Sequence, residues 1–260
     1  MAKIIAVINQ KGGVGKTATT CHLAYAFAGK NKSTLLVDMD PSANATSMFI
    51  APPYPLLTVK DFILSKDILP ITALPAMENG ETIMSLSVIG SHIGLAMVDK
   101  ELTTRAFRET LLDKKLRHPA IFNHFDYIFI DCPPTLSTLT INAMYAADFI
   151  LIPVTYAKNA LEGVADLFDV LAEIKEGQQY DIRILRNQYD ARKKTVNGFI
   201  AENLQPLIEQ GKVLKTIIRQ DEAVNRATLE NLTVFNHCPH TYACADYLFL
   251  RDELQEIFNG

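Results

Sequence analysis

The chain has 260 residues, of which 48% are hydrophobic, and a formal net charge of −4. That size and composition fit a single globular domain spanning 1–260, and the acidic balance excludes a protein that is basic all over while leaving room for a local basic surface. No apolar run approaches the roughly 18 to 20 residues of a membrane span, and the first residues lead straight into a strand, so a cytoplasmic protein without a secretory leader is expected.

The apolar run Ile4 to Ile8 reads as a strand, and Thr17 to about Ala28 as a helix; between them lies Asn9-Gln10-Lys11-Gly12-Gly13-Val14-Gly15-Lys16-Thr17. Strand, glycine loop, helix is the context of a phosphate-binding loop. Glycines let backbone N–H groups converge on phosphate oxygens, the Lys16 ammonium neutralises the β and γ phosphates, the Thr17 hydroxyl ligates Mg²⁺, and the helix start through Ala18 adds its positive dipole end. A nucleoside triphosphate is the expected ligand. The common pattern G-x-x-x-x-G-K-[ST] would place glycine at position 10, where this chain has Gln10, and a second lysine, Lys11, begins the loop. Lys16 already serves its own loop. The Lys11 ammonium therefore either sits in solvent or reaches a phosphate from outside, for example from a partner subunit.

Ser33 to Asp38 reads as a buried strand ending in a carboxylate, followed by Asp40-Pro41-Ser42-Ala43-Asn44-Ala45-Thr46. Acids at the carboxyl end of a parallel strand lie where open α/β sheets bind ligands. Asp38 is thus a metal-side candidate, and Asp40 is placed to position the attacking water or the metal's water shell; an Asp before Pro also serves as a helix cap. Residues 51 to 84, with Pro52, Pro53, Pro55, Pro70 and Pro75 around a short helix near Val59 to Ser65, read as connector and insertion. Met84 to Ile89 reads as a strand, and a helix is expected from about Leu102 to Arg117 with Phe107, Leu111, Leu112 and Leu116 on one buried face. His92 reads as structural or loop-exposed.

Phe125 to Asp131 is an apolar strand with a carboxylate at its tip, opposite the phosphate loop and placed to hold Mg²⁺ through Thr17 or water. Helices are expected over Ser137 to Ala147, from Ala160 onward, over Thr195 to Ile208 and over Tyr242 to Phe258; strands over Phe149 to Val154, Ile182 to Leu185 and Val213 to Ile218. This alternation implies an α/β fold, a mostly parallel twisted sheet with helices on both faces. The four cysteines, Cys21, Cys132, Cys238 and Cys244, lack C-x-x-C spacing and read as reduced, packed side chains.

Lys-Gly-Gly-Val-Gly-Lys-Thr at 11–17, the run D-x-D-P-x-x-N-A-T at 38–46 and Ile130-Asp131-Cys132-Pro133-Pro134 together resemble the deviant Walker A ATPases, a group of P-loop NTPases that includes ParA-type partition proteins, MinD-type cell-division regulators and nitrogenase iron protein. The short, Soj-like ParA proteins match best. The resemblance implies an ATPase using ATP and Mg²⁺, with Lys16, Lys11 and Asp40 catalytic, Thr17, Asp38 and Asp131 on the metal side, and Lys11 contacting nucleotide across an ATP-dependent homodimer. It also implies that the strand tip at Asn187 contacts the adenine, although a turn-capping Asn is the other reading of that residue, and that Ile218-Arg219 stands where the family often has proline. A ParB-type centromere-binding partner and non-specific DNA would be the ligands of such a protein, which would be nucleoid-associated; the family's N-terminal helix-turn-helix region is not expected here. A ParA-like positioner of a non-DNA cargo is the alternative. A MinD-like membrane role is disfavoured because Leu250 to Gly260 carries more acids than bases, and the cysteines do not match a cluster-carrying protein.

The segment from Arg183 to Arg226 also concentrates Arg186, Arg192, Lys193, Lys194, Lys212, Lys215, Arg219 and Arg226. Such a cluster is commonly a solvated face. The family resemblance makes Arg192, Lys193, Lys194, Lys215 and Arg219 the DNA candidates, with Arg219 first.

Overall fold

The computed structural model describes residues 1–29, 32–65, 67, 69–78, 81–102, 105–156 and 163–260. One eight-stranded sheet runs through it in the order β3-β4-β2-β5-β1-β6-β7-β8. The strands are β1 (Lys3–Val7), β2 (Thr34–Asp38), β3 (Ile71–Glu78), β4 (Glu81–Ile89), β5 (Tyr127–Asp131), β6 (Phe149–Thr155), β7 (Asp181–Tyr189) and β8 (Val213–Arg219). All pair in parallel except β3, which is antiparallel to β4.

Side chains alternate across the central strands, so each strand feeds two cores. Ile4, Ala6, Ile8, Ile128 and Ile130 face one side, packed by α3 (Val59–Leu64), α4 (Val98–Leu102), α5 (Leu111–Leu116), α7 (Thr138–Ala146), α8 (Val164–Ile174) and α9 (Lys194–Glu209). Ile5, Val7, Tyr127 and Phe129 face the other, packed by α1 (Lys16–Ala28), α2 (Asn44–Phe49), α10 (Glu222–Leu229), α11 (Val234–His237) and α12 (Tyr242–Asn259). A one-turn helix, α6 (Pro119–Phe122), precedes β5. The parallel strands are apolar on both faces because helices cover both.

Three expectations are corrected by these elements. The region read as connector contains β3, an edge strand whose Pro75 pairs with Ser85; proline lacks a ladder donor and is tolerated there because an edge strand leaves one side unpaired. The expected helix from Leu102 to Arg117 is broken: α4 ends at Leu102, a 3₁₀ turn covers Arg108–Thr110, and α5 begins at Leu111. Phe107, expected on its buried face, is 69% exposed with a left-handed φ of 56°, while Leu112 and Leu116 are buried as expected. Finally, β7 continues to Tyr189, so Asn187 lies within the strand. The expected helix start at Ala160 lies outside the described residues, and α8 begins after Gly163, whose φ is 78°.

The edge strand β8 is closed by carboxylates from α12. Glu253 accepts the backbone N–H groups of Lys215 (2.7 Å) and Thr216 (2.8 Å), and Asp246 accepts that of Arg219 (3.0 Å). These donors would otherwise present a template for strand addition.

α1 is tied to the C-terminal helices through His22, which is fully buried and stacked on Tyr247 with ring centroids 4.6 Å apart. Its Nδ1 donates to the Ala18 carbonyl and its Nε2 accepts the Val234 N–H at 3.0 Å. Both ring nitrogens have roles only in the neutral form, and burial lowers the pKa to about 4. As pH falls below the ordinary value near 6.5, the unfolded chain takes the proton first, so this group's stability contribution is lost between that pH and 4. At pH 5 the loss is about 2 kcal/mol. Urea unfolding at pH 7 and pH 5 should show a smaller drop for His22→Gln than for the wild type; equal drops would remove His22 from the pH response.

Candidate nucleotide site

The loop 9–17 leaves β1 at the carboxyl end of the sheet and enters α1. Gly13 and Gly15 have φ of 74° and 85°, the left-handed region that glycine occupies without a Cβ penalty. A Cβ on Gly15 would also lie 2.4 Å from Asn187 Nδ2. Asn9 anchors the start of the loop, its Nδ2 donating to the Pro153 carbonyl at the tip of β6 (2.8 Å) and its Oδ1 accepting the Lys11 N–H (2.9 Å).

Lys16 is buried and its Nζ donates to the Lys11 carbonyl at 3.1 Å. Burial pulls its pKa below the ordinary lysine value, opposed chiefly by Asp131 and also by Asp40. Asp38 and Asp131 end adjacent strands and stand opposite one another in register, both fully buried. Asp38 is engaged within the chain: its Oδ2 accepts the Thr46 N–H (2.8 Å) and hydroxyl (2.7 Å), its Oδ1 accepts the Asp40 N–H (3.0 Å), and Thr46 Oγ1 accepts the Ser91 N–H at 2.7 Å. Desolvation nevertheless raises the Asp38 pKa to about 6. Asp131 accepts the Thr20 hydroxyl on Oδ1 (3.2 Å), whereas its buried Oδ2 has no hydrogen-bond partner. Burial, then the charge of Asp38, pushes its pKa well above the carboxylate range; the neighbouring Thr17 hydroxyl offsets part of that rise.

An unpartnered buried carboxylate oxygen beside a hydroxyl at a helix start suits Mg²⁺, which takes one or two protein oxygens and fills its octahedron with phosphate and water. Among the described residues no group of three or more His, Cys, Asp or Glu side chains could hold a metal alone. Asp40 is half-exposed and its Oδ1 accepts the Ser42 N–H at 2.9 Å, so it closes a turn before α2 while lying near Lys16.

Base recognition and turn capping are the two expectations for Asn187. In this conformation both of its polar atoms are engaged in the chain: Nδ2 donates to the Val14 carbonyl (2.8 Å) and Oδ1 accepts the Gln188 N–H (2.9 Å). Gln188, which the sequence reading did not single out, holds a left-handed φ of 56° and its Nε2 donates to the Gly13 carbonyl at 2.9 Å. Two side-chain amides on β7 thus grip successive carbonyls of the phosphate loop. Beside them a cleft is lined by Gly15, Ala18, Ile218, Gln220, Asp221 and Asn225.

Of the DNA candidates, Arg219 is bound to Asp246 (2.6 and 2.9 Å) and stacks on Tyr242, 4.2 Å from the ring centroid. Arg192 is 87% exposed at its side chain but bidentate with Asp190 (2.8 and 2.8 Å). Lys193, Lys194 and Lys215 are exposed, and Lys215 borders the acidic Asp252, Glu253 and Glu256. The structure does not bring the five into one unpaired patch; Lys193, Lys194 and Lys215 have no ion pair among the described residues, and of these Lys193 and Lys194, at the start of α9, lie away from the acids that Lys215 borders.

Residues 2–184 match a family described as an AAA domain, AAA_31. The chain is 35% identical to the sporulation initiation inhibitor protein Soj of Bacillus subtilis over 98% of both chains. It belongs to the ParA/Soj family of partition ATPases. The chromosome partitioning protein ParA of Myxococcus xanthus is 31% identical, covering 98% of this chain and 89% of its own. In fold it is similar to cobyrinic acid a,c-diamide synthase from Mycobacterium smegmatis, solved with ADP and magnesium, with a TM-score of 0.79 at 24% identity over 100% of this chain and 96% of the other. As a member of the ParA/Soj family the chain is an ATPase, and the motifs at 11–17, 38–46 and 130–134 converge on one end of its sheet.

The grip of Asn187 on the loop has a measurable consequence. Asn187→Ala leaves the Val14 carbonyl and Gln188 N–H without these partners, and stability should fall by about 1–3 kcal/mol in urea unfolding. Affinity for tripolyphosphate, which has no base, should fall along with affinity for ATP; loss of ATP affinity alone would make Asn187 a base reader.

Proposed function

We propose that the chain is an ATP-dependent DNA partition ATPase, whose ATP-bound homodimer binds non-specific DNA and is released when a ParB-type partner stimulates hydrolysis. The observation that carries this reading is Lys11: its carbonyl receives Lys16, its N–H is fixed by Asn9, and its own ammonium has no hydrogen bond or ion pair among the described residues. A lysine fixed at its backbone and unengaged at its tip is suited to a phosphate supplied opposite another subunit. Two triphosphates brought face to face also require extra positive charge.

In this reading Gly12, Gly13, Val14, Gly15, Lys16, Thr17 and Ala18 bind the phosphates, and Asn187 and Gln188 hold the loop in shape while bordering the cleft for the base. Thr17 and Asp131, with Asp38 through water, would hold Mg²⁺, which supplies charge to the phosphate oxygens. Asp40 orients the hydrolytic water. Lys16 offsets charge developing on the γ phosphate.

DNA binding rests on phosphate contacts, and the ion pairs of Arg192 and Arg219 move the lead within the basic segment to Lys193 and Lys194. The same ion pairs favour the second reading, a ParA-like positioner of a non-DNA cargo, over a large DNA footprint. Either reading places the protein in the cytoplasm, on the nucleoid in the first; no helix among the described residues is long and apolar enough to cross a membrane.

Asp40→Ala should keep ATP binding and lose turnover, whereas Lys16→Ala should lose both; Asp40→Ala at wild-type turnover would overturn that role. Sedimentation of Asp40→Ala with ATP should show a dimer that Lys11→Ala in the same background prevents. On unrelated duplexes, binding should require ATP and weaken with salt, and Lys193→Ala with Lys194→Ala should lower the log–log salt slope by about 2. Binding that is equal with ATP, ADP and no nucleotide would support the non-DNA cargo.

A further inference from the structure

A second concave surface lies on the other side of the fold from α12, between the end of α3 and α5. It is a groove of about 630 Å³. Ile63 and Leu64 from α3, Leu69 from the following loop and Leu111 from α5 form an apolar floor, and Leu69 is 51% exposed. The rim is basic: among the described residues Arg105, Lys114, Lys115 and His118 line it against one acid, Asp67. The Lys115 ammonium is engaged by the Ser65 carbonyl and lies 5.5 Å from the centroid of Phe62, so it belongs to the wall. Arg105 and Lys114 are exposed and have no ion-pair partner among the described residues.

Phe107 stands at the same rim, its ring 5.6 Å from Lys114 Nζ. A left-handed backbone at a bulky residue is uncommon and unfavourable. Here it holds an aromatic ring in solvent, where burial returns nothing. Exposed aromatics flanked by cations over an apolar pocket are the composition of a protein-binding hot spot.

We propose that this groove docks an amphipathic helix of a partner protein, with apolar side chains on one face and glutamates or aspartates along its flanks. Charge complementarity decides the occupant. Carboxylates meet Arg105 and Lys114, while leucine-like side chains fill the floor and pack on Phe107, the helix-in-groove mode of recognition. Duplex DNA has no apolar side chains for the floor, and a flat bilayer cannot follow a concave one. The groove also connects to the nucleotide end of the sheet. The first residue of α3, Val59, donates its N–H to the Gly90 carbonyl (2.8 Å), and the next residue, Ser91, donates to Thr46 on Asp38. A docked helix therefore bears on an element linked to Asp38 by three hydrogen bonds, Val59 to Gly90, Ser91 to Thr46 and Thr46 to Asp38. The proposal does not rest on the DNA reading: its deciding comparison is between two peptides, and a duplex enters the test only as a rival occupant.

The test is fluorescence anisotropy of the full chain with two labelled helical peptides of identical leucine spacing, one carrying glutamate and the other lysine on its flanks. The glutamate peptide should bind and weaken with salt, and the lysine peptide should bind about tenfold more weakly or worse. Arg105→Glu with Lys114→Glu should reverse that preference, and Phe107→Ala should weaken the glutamate peptide several-fold; both changes are at exposed positions, and thermal melting checks that the variants fold. Equal binding of the two peptides, no binding of either, or no change in the charge-reversed variant would overturn the proposal. So would phosphatidylglycerol vesicles or an unrelated duplex that bind the wild type and are lost with the same variant while the glutamate peptide is not.

Discussion

Two carboxylates buried side by side on neighbouring strand tips organise this protein. Asp38 and Asp131 are in register on β2 and β5; burial raises the pKa of both, and the charge of Asp38 pushes Asp131 further in the same upward direction. A folded chain tolerates such a pair only by surrounding it with donors and cations. Asp38 is satisfied by α2 through Thr46 and by the Asp40 backbone, so its charge is stabilised at the expense of fixing the first turn of that helix. Asp131 has one oxygen on Thr20 and the other unpartnered. The deficit lies beside the Thr17 hydroxyl and the Lys16 ammonium, and a bound cation and an anionic phosphate chain would together restore electrostatic balance there. Sites of this kind sacrifice stability for function.

The second half of the chain shapes the first. The glycine loop has backbone freedom, and freedom alone does not aim N–H groups at a phosphate. Asn187 and Gln188, 173 and 175 residues along the chain from their partners, grip the Val14 and Gly13 carbonyls and so turn the opposite faces of those peptide units. Gln188 accepts a strained backbone to do so. α12 closes the same end of the sheet twice over, through His22 stacked on Tyr247 and through the carboxylates that cover β8.

Much of this was legible from residues alone, for physical reasons. β1, β2 and β5 are short apolar runs that lead directly into the motifs at 11–17, 38–46 and 130–134, so their boundaries could be read from those motifs. β3 was hidden because Pro70 and Pro75 read as loop, and only its place at the sheet edge makes proline acceptable. The break at Phe107 was hidden because its spacing to Leu111 fits a helix, while the left-handed turn that interrupts it leaves no periodic signature. The ion pairs are a third class. Arg219 and Asp246 are 27 residues apart, and no local pattern says that the cation most favoured for DNA already has an intramolecular partner.

The central claim is that burying the Asp131 carboxylate costs the fold stability and that its unpartnered oxygen serves Mg²⁺. Thermal unfolding of the wild type and Asp131→Asn, without ligand, with ATP alone and with ATP and Mg²⁺, tests it most directly. The account expects Asp131→Asn to be at least as stable as the wild type without ligand and to lose the extra stabilisation that Mg²⁺ adds to ATP. A variant that is less stable without ligand and keeps the full Mg²⁺-dependent gain would contradict it.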